Sequence, residues 1–370
     1  MRRSTGTSPA SAAVASAAAN PAGADQLLES VSAAVRELVP FDGSAWFGVD
    51  PATVLPAAPI RIENVAHEFC AVHWQREIRE QDVLQYRDLA RSTVPAGSLL
   101  MTTDGRPARS LRYREFLAPQ SYGDEMRAAL RVGGRTWGLI DLYRDNGRKA
   151  FSQKEIDTIR DVSPIIATAL RSVLVRRHRG PVPAATGTAL FDRDGHLLTY
   201  DEHAATWFRQ VAGERWKDLT FAMTGVDGVL RHAVAVQDGR AAGASVVRLR
   251  SRTTWVTVTA SVLASGDGSP GPVAVSVTPS RPAEIAPLLI EAYGLTAREQ
   301  EITRAVVRGL SNSQIAATLH VSPHTVRDHL KAVFAKLGVR SRAELSTTLY
   351  GDLYEPPLWE SGAPVTHTQY

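Results

Sequence analysis

The sequence predicts a multidomain chain, with two α+β modules in succession followed by an all-α block. Three observations carry this. At 370 residues the chain exceeds one ordinary domain, and a typical domain size gives about two or three. Runs of alternating β-branched residues around glycine turns occur in both the first and the middle stretch. The last part abandons that pattern for helical spacing with a one-sided charge. Hydrophobic residues at 44% and charged residues at 22% are enough to build buried cores.

Residues 1–23 are Ala, Ser, Gly and Pro with almost no large apolar side chain, so they predict a disordered tail. From Ala24, Leu27, Leu28, Val31, Val35 and Leu38 recur at helical spacing, and Pro40 stops the helix. The stretch SAWFGVD then reads as a strand. In EMRAALRVGGRTWGLIDLYR, Gly133 and Gly134 supply the positive φ values that a two-residue hairpin turn demands. Ser152 and Glu155 form a capping box with Phe151 as its staple. The helix that follows buries Ile156, Ile159, Ile166, Leu170 and Val173, with an interruption expected at Pro164. This order defines an α+β module over 24–176.

The basic run from Arg176 to Arg179 and the prolines after it read as a linker at 177–184. GTALFDRDGHLLTYDEHAATWF gives strand, turn at Asp194 and Gly195, strand and helix. Two later β-rich runs complete a smaller α+β module over 185–279. A connecting helix is expected at 280–294 and a tail at 353–370. The sequence shows no internal repeat.

The all-α block spans 295–352. Thr296 and Glu299 form a second capping box, and Ile302, Ala305 and Val306 line the buried face up to Gly309. Ser311 begins the next helix, whose inward residues are Ile315, Ala316 and Leu319; Ala316 is small, as a close helix crossing requires. His320 and Val321 make the turn, and Ser322 and Pro323 start a third helix. That helix buries Val326, Leu330, Val333 and Leu337 and turns Arg327, Asp328, Lys331 and Lys336 outward. From Ser311 to Arg342 the cations are Arg327, Lys331, Lys336, Arg340 and Arg342, against the single acid Asp328. Turn, small crossing residue, capped third helix and charge together point to double-stranded DNA.

The block resembles the DNA-binding domain of LuxR-type transcriptional regulators, through Leu295, Thr296, Arg298, Glu299, Glu301 and Ile302, then Gly309, Leu310, Ser311, Asn312, Ile315 and Ala316. The match continues through Leu319, Val321, Ser322, Thr325, Val326, Arg327, His329, Lys336, Leu337, Gly338 and Val339. The resemblance implies a four-helix domain with the helix at 322–337 in the major groove. It implies that Arg327, Asp328 and Lys331 read base edges, while Asn312, Thr325 and His329 contact or support the backbone. Lys336 joins the DNA-binding set. Arg327 and Lys331 can donate to guanine O6 and N7, and Asp328 can accept from cytosine N4 or instead orient Arg327. In the family a fourth helix pairs two copies on an inverted repeat; here Leu345 and Leu349 either serve that contact or close the core.

The 24–176 module resembles GAF-type sensor domains and the 185–279 module resembles PAS-like sensors. The expected input is an unidentified small-molecule or protein signal, with RNA polymerase as a further candidate partner. The single cysteine, Cys70, excludes an internal disulfide framework and a cysteine-rich zinc site. His67, Cys70 and His73 have helical spacing, but aromatic neighbours favour a partly buried helix, so no metal or other cofactor is expected. Trp46, Trp74, Tyr113, Phe116, Tyr122 and Trp137 suit a core or a pocket lining. No G-x-S-x-G, H-E-x-x-H or phosphate cradle occurs, so binding ranks above a signal-modifying enzyme. The absence of a signal-peptide core and of a long apolar run predicts a cytoplasmic chain without a membrane span.

Overall fold

A computed structural model describes residues 8–19, 21, 23–66, 68–174, 185–217, 224–251, 254–281, 284, 285, 288, 290 and 293–350. The chain divides into two compact units, 1–279 and 280–370. The expected linker at 177–184 and the tail at 353–370 lie outside the described residues, and so does much of the connecting helix at 280–294.

The first unit begins with α1 (Pro9–Ala17), where composition predicts disorder. Alanine is the strongest helix former, the Ser8 hydroxyl accepts from the Ser11 N–H, and Val14 is fully buried. One buried valine on an alanine helix therefore suffices to seat the segment. Next come α2 (Ala24–Leu38), β1 (Gly43–Val49), β2 (Pro56–Glu63) and α3 (Glu68–Arg79). They are followed by the one-turn α4 (Tyr86–Leu89), β3 (Ala96–Ser98), the one-turn α5 (Leu99–Thr102), β4 (Tyr122–Val132), β5 (Arg135–Asp145) and α6 (Gln153–Leu174). Gly133 and Gly134 take φ of 62° and 79° in the β4–β5 turn. Helix α6 runs unbroken through Pro164, whose ring lies on the exposed face. The Ser152 and Glu155 capping bonds form as expected.

The strands form an all-antiparallel sheet in the order β2-β1-β5-β4-β3. All seven residues of β1 are buried, so this sheet is covered on both faces. Trp46 and Trp137 are fully buried, whereas Phe47, Trp74, Phe116, Tyr122 and Tyr143 form a core cluster with Leu139.

The second module contains β6 (Gly187–Phe191), β7 (Leu197–Tyr200), α7 (Glu202–Ala212), α8 (Thr224–Gln237), β8 (Val246–Arg250), β9 (Trp255–Ala264) and β10 (Pro270–Pro279). Its sheet, β7-β6-β10-β9-β8, is also all antiparallel. Counted within each module, both sheets run 2-1-5-4-3, so the topology repeats although the sequence shows no repeat. The modules share a core as well. Leu55 and Ala57 from the first module are buried among Val229, Leu230, Val247 and Val256 of the second. Gly228 lies so close to Pro56 that a Cβ there would meet Pro56 Cγ at 2.7 Å.

Candidate nucleic-acid interface

The second unit contains α9 (Ala297–Val307), α10 (Asn312–Leu319), α11 (Pro323–Leu337) and α12 (Arg342–Tyr350). Their ends are set by the sequence. Thr296 and Glu299 form the expected capping box on α9, and Ser311 with Gln314 forms a second on α10. His320 closes α10 in the left-handed region at φ 52°, and the Ser322 hydroxyl caps α11 by accepting from the Thr325 N–H. Val326, Leu330, Val333 and Leu337 are buried as their spacing predicts, and so are Ile315 and Ala316; Leu319 is half-buried.

Several charged and polar side chains are consumed in holding this arrangement. Arg298 donates to the Leu319 carbonyl at 2.7 Å, pinning the end of α10 to α9. Arg342 donates to the Leu310 carbonyl and to Asn312 Oδ1, each at 2.8 Å. Asn312 thus braces the start of α10. Lys336 Nζ lies 2.5 Å from buried Glu299 Oε2, locking α11 onto α9. Burial opposes ionisation of Glu299, but the Lys336 ammonium and the Thr296 N–H outweigh it and hold the carboxyl below its usual range. The structure therefore assigns Lys336 an internal partner, which its outward helical position did not reveal.

The other candidates sit differently. Arg327, Asp328 and Lys331 are exposed on one side of α11, with Thr325 and His329 half-buried beside them. Among the described residues none forms an ion pair or hydrogen bond with the Arg327 side chain. Asp328 does not orient Arg327. Its Oδ2 lies 3.0 Å from His324 Nδ1 and its Oδ1 lies 3.9 Å from Lys331 Nζ. His324 therefore joins this face at i, i+4 spacing from Asp328, a signal present in the sequence that residue-type reasoning passed over. On α12, Leu345 and Leu349 are fully buried and so are spent on the core.

The side chains of His67 and Cys70 lie outside the described residues. His73 is buried in the first module, and among the described residues no cluster of three His, Cys, Asp or Glu could hold a metal ion. No helix among them is long and apolar enough to cross a membrane.

A capped helix-turn-helix whose third helix presents an exposed basic face defines a nucleic-acid-binding class of domain. Residues 294–349 match the family described as bacterial regulatory proteins, luxR family, and constitute a LuxR-family helix-turn-helix domain. Over 51 residues the chain is 53% identical to an HTH-type transcriptional regulator of Mycobacterium bovis, covering 14% of this chain and 6% of that protein. It is 51% identical over 49 residues to the transcriptional regulatory protein SgaR of Hyphomicrobium methylovorum, covering 13% and 23%. Against the nitrate/nitrite response regulator NarP of Escherichia coli it is 46% identical over 48 residues, covering 13% and 22%. The chain thus spans under a quarter of the length of these relatives.

Among solved structures, Escherichia coli SdiA aligns with 91% of this chain and 95% of its own, at 10% identity and a TM-score of 0.31. A phage VqmA–DPO complex aligns with 48% and 87%, at 19% identity and a TM-score of 0.25. Scores of this size establish no shared arrangement of the first two modules.

Proposed function

We propose that the chain is a sequence-specific, DNA-binding transcriptional regulator of the LuxR type. In this reading α11 enters the major groove, and two copies bind an inverted-repeat operator. The GAF-like first module and PAS-like second module receive the signal that sets DNA affinity. The observation that carries the proposal is the division of polar side chains in the last domain. Asn312, Arg298, Arg342 and Lys336 are committed to internal partners, whereas Arg327, Lys331, Asp328 and His324 stay exposed together. A surface left exposed, its only pairs lying among its own residues, while its neighbours are used as braces suits an external ligand, and its composition suits base edges and phosphates.

Arg327 then donates to guanine O6 and N7, and Lys331 contacts guanine or phosphate. Asp328 holds His324 and Lys331 in place or accepts from cytosine N4. Thr325 and His329 flank this face as backbone contacts. Because Leu345 and Leu349 are buried, a dimer contact at α12 would use its remaining surface. The test is selection of genomic DNA fragments by the full-length protein. Enrichment of a shared inverted repeat, bound more weakly as salt rises, is expected; equal retention of all fragments would exclude sequence-specific regulation.

A further inference from the structure

The exposed face of α11 carries one acid among its cations, and on DNA that acid is a liability. Asp328 is 54% exposed and shares its side of the helix with Arg327 and Lys331. Phosphates flank the groove that α11 enters in the proposed reading, so an uncompensated carboxylate is repelled there. A positive charge beside Asp328 has to offset that repulsion.

Two groups lie close enough to do so, and distance separates them. Asp328 Oδ2 is 3.0 Å from His324 Nδ1, whereas its Oδ1 is 3.9 Å from Lys331 Nζ. His324 stands one turn earlier at i, i+4 spacing, so forming the helix is enough to bring the pair together. Its side chain is 78% exposed, and among the described residues α9, α10 and α12 give its ring no ion pair or hydrogen bond. Asp328, with Lys331 behind it, is thus the charged group that the ring faces. In the free protein water screens so exposed a pair, and it holds little energy. On DNA the ring would lie between a carboxylate and the phosphates, and both favour the charged form of a side chain that exchanges its proton between pH 5 and 8.

We infer that His324 is a further DNA contact of α11 and that it engages the operator as the imidazolium. On association the ring takes one proton from the buffer, donates an N–H to a phosphate oxygen and offsets the charge of Asp328. Asp328 is then a positioning residue for the His324 ring rather than a reader of cytosine. This rests on the reading that α11 enters the major groove, and it makes operator binding depend on pH.

The test titrates the full-length protein into labelled operator, selected from genomic fragments, at pH 6.0 and 8.0 and fixed ionic strength. Wild type should bind about tenfold more tightly at pH 6.0. His324→Gln should match it within about twofold at pH 8.0, lose most of the gain at pH 6.0, and show a salt slope there smaller by about one. Asp328→Asn removes the charge but keeps an oxygen acceptor, so it should bind more tightly than wild type at pH 8.0 and gain less on acidification. Both side chains are exposed, so melting midpoints should stay at the wild-type value. The same pH ratio in wild type and His324→Gln, or weaker binding of Asp328→Asn at both pH values, would overturn the inference. Operator binding that ignores pH removes this inference alone, whereas failure of the wild type to bind DNA at either pH removes the groove-binding reading with it.

Discussion

Asp50 Oδ2 accepts two hydrogen bonds from Arg248, one from its backbone N–H at 2.8 Å and one from its guanidinium at 3.1 Å. Asp50 follows β1 of the first module and Arg248 lies in β8 of the second, so one carboxylate ties the two sheets together. It is fully buried, and burial raises its pKa despite the Ala52 and Arg248 donors. With Leu55 and Ala57 buried in the second module's core, the two sheets form one folding body.

Asp50→Ala should therefore destabilise the first unit by about 3 kcal/mol, because it strands a buried N–H and a guanidinium together. Urea unfolding of the full chain followed by tryptophan fluorescence measures this. A loss under about 0.5 kcal/mol would mean that the bridge is incidental.

Leu55→Ala should cost about 2–3 kcal/mol through the cavity it leaves, and the loss should be felt across the module boundary. Hydrogen exchange is expected to quicken in α8 and β8 as well as in the β1–β2 hairpin. Exchange altered only around residue 55 would show that the modules are energetically separate.

Lys336→Ala should weaken the last domain far more than it weakens base recognition, since Lys336 is occupied by Glu299. The pH dependence follows from Glu299, whose folded pKa is depressed. Its contribution is present above the ordinary glutamate value of 4.5 and is lost as pH falls through the lower folded value. Melting curves across that acid range should show this loss in the wild type and a flatter profile in Lys336→Ala.

His73 makes a second pH prediction. Its folded pKa lies below the ordinary 6.5, so the unfolded chain takes up a proton first as pH falls. Stability of the first unit should be full above about 6.5 and decline below it, and His73→Gln should remove that part of the slope. Denaturant midpoints between pH 7 and 5.5 that run parallel for both proteins would contradict this.

The last domain was legible because its information is local. The spacing of Val326, Leu330, Val333 and Leu337, the Ser322 and Pro323 start and the Gly338 stop each act within a few residues. The Gly133–Gly134 hairpin was legible for the same reason. Helix α8 was not, since Gly225 and Gly228 argue against a helix until Pro56 is seen pressed against them. The Lys336–Glu299 and Asp50–Arg248 contacts join distant positions, and the buried row of Glu125, Arg127 and Asp141 alternates like a half-exposed strand. Periodicity shows that a strand has two faces but not that both are covered.

In the proposed reading, the exposed face of α11 reads DNA while its neighbours only hold the fold. Fluorescence anisotropy titration of the selected operator with wild type, Arg327→Ala, Lys331→Ala and Lys336→Ala tests it most directly. Losses of about 1–3 kcal/mol are expected for the first two variants, with reduced discrimination against mismatched sites where the residue reads a base, and a much smaller loss for folded Lys336→Ala. Operator affinity unchanged in both Arg327→Ala and Lys331→Ala would contradict it.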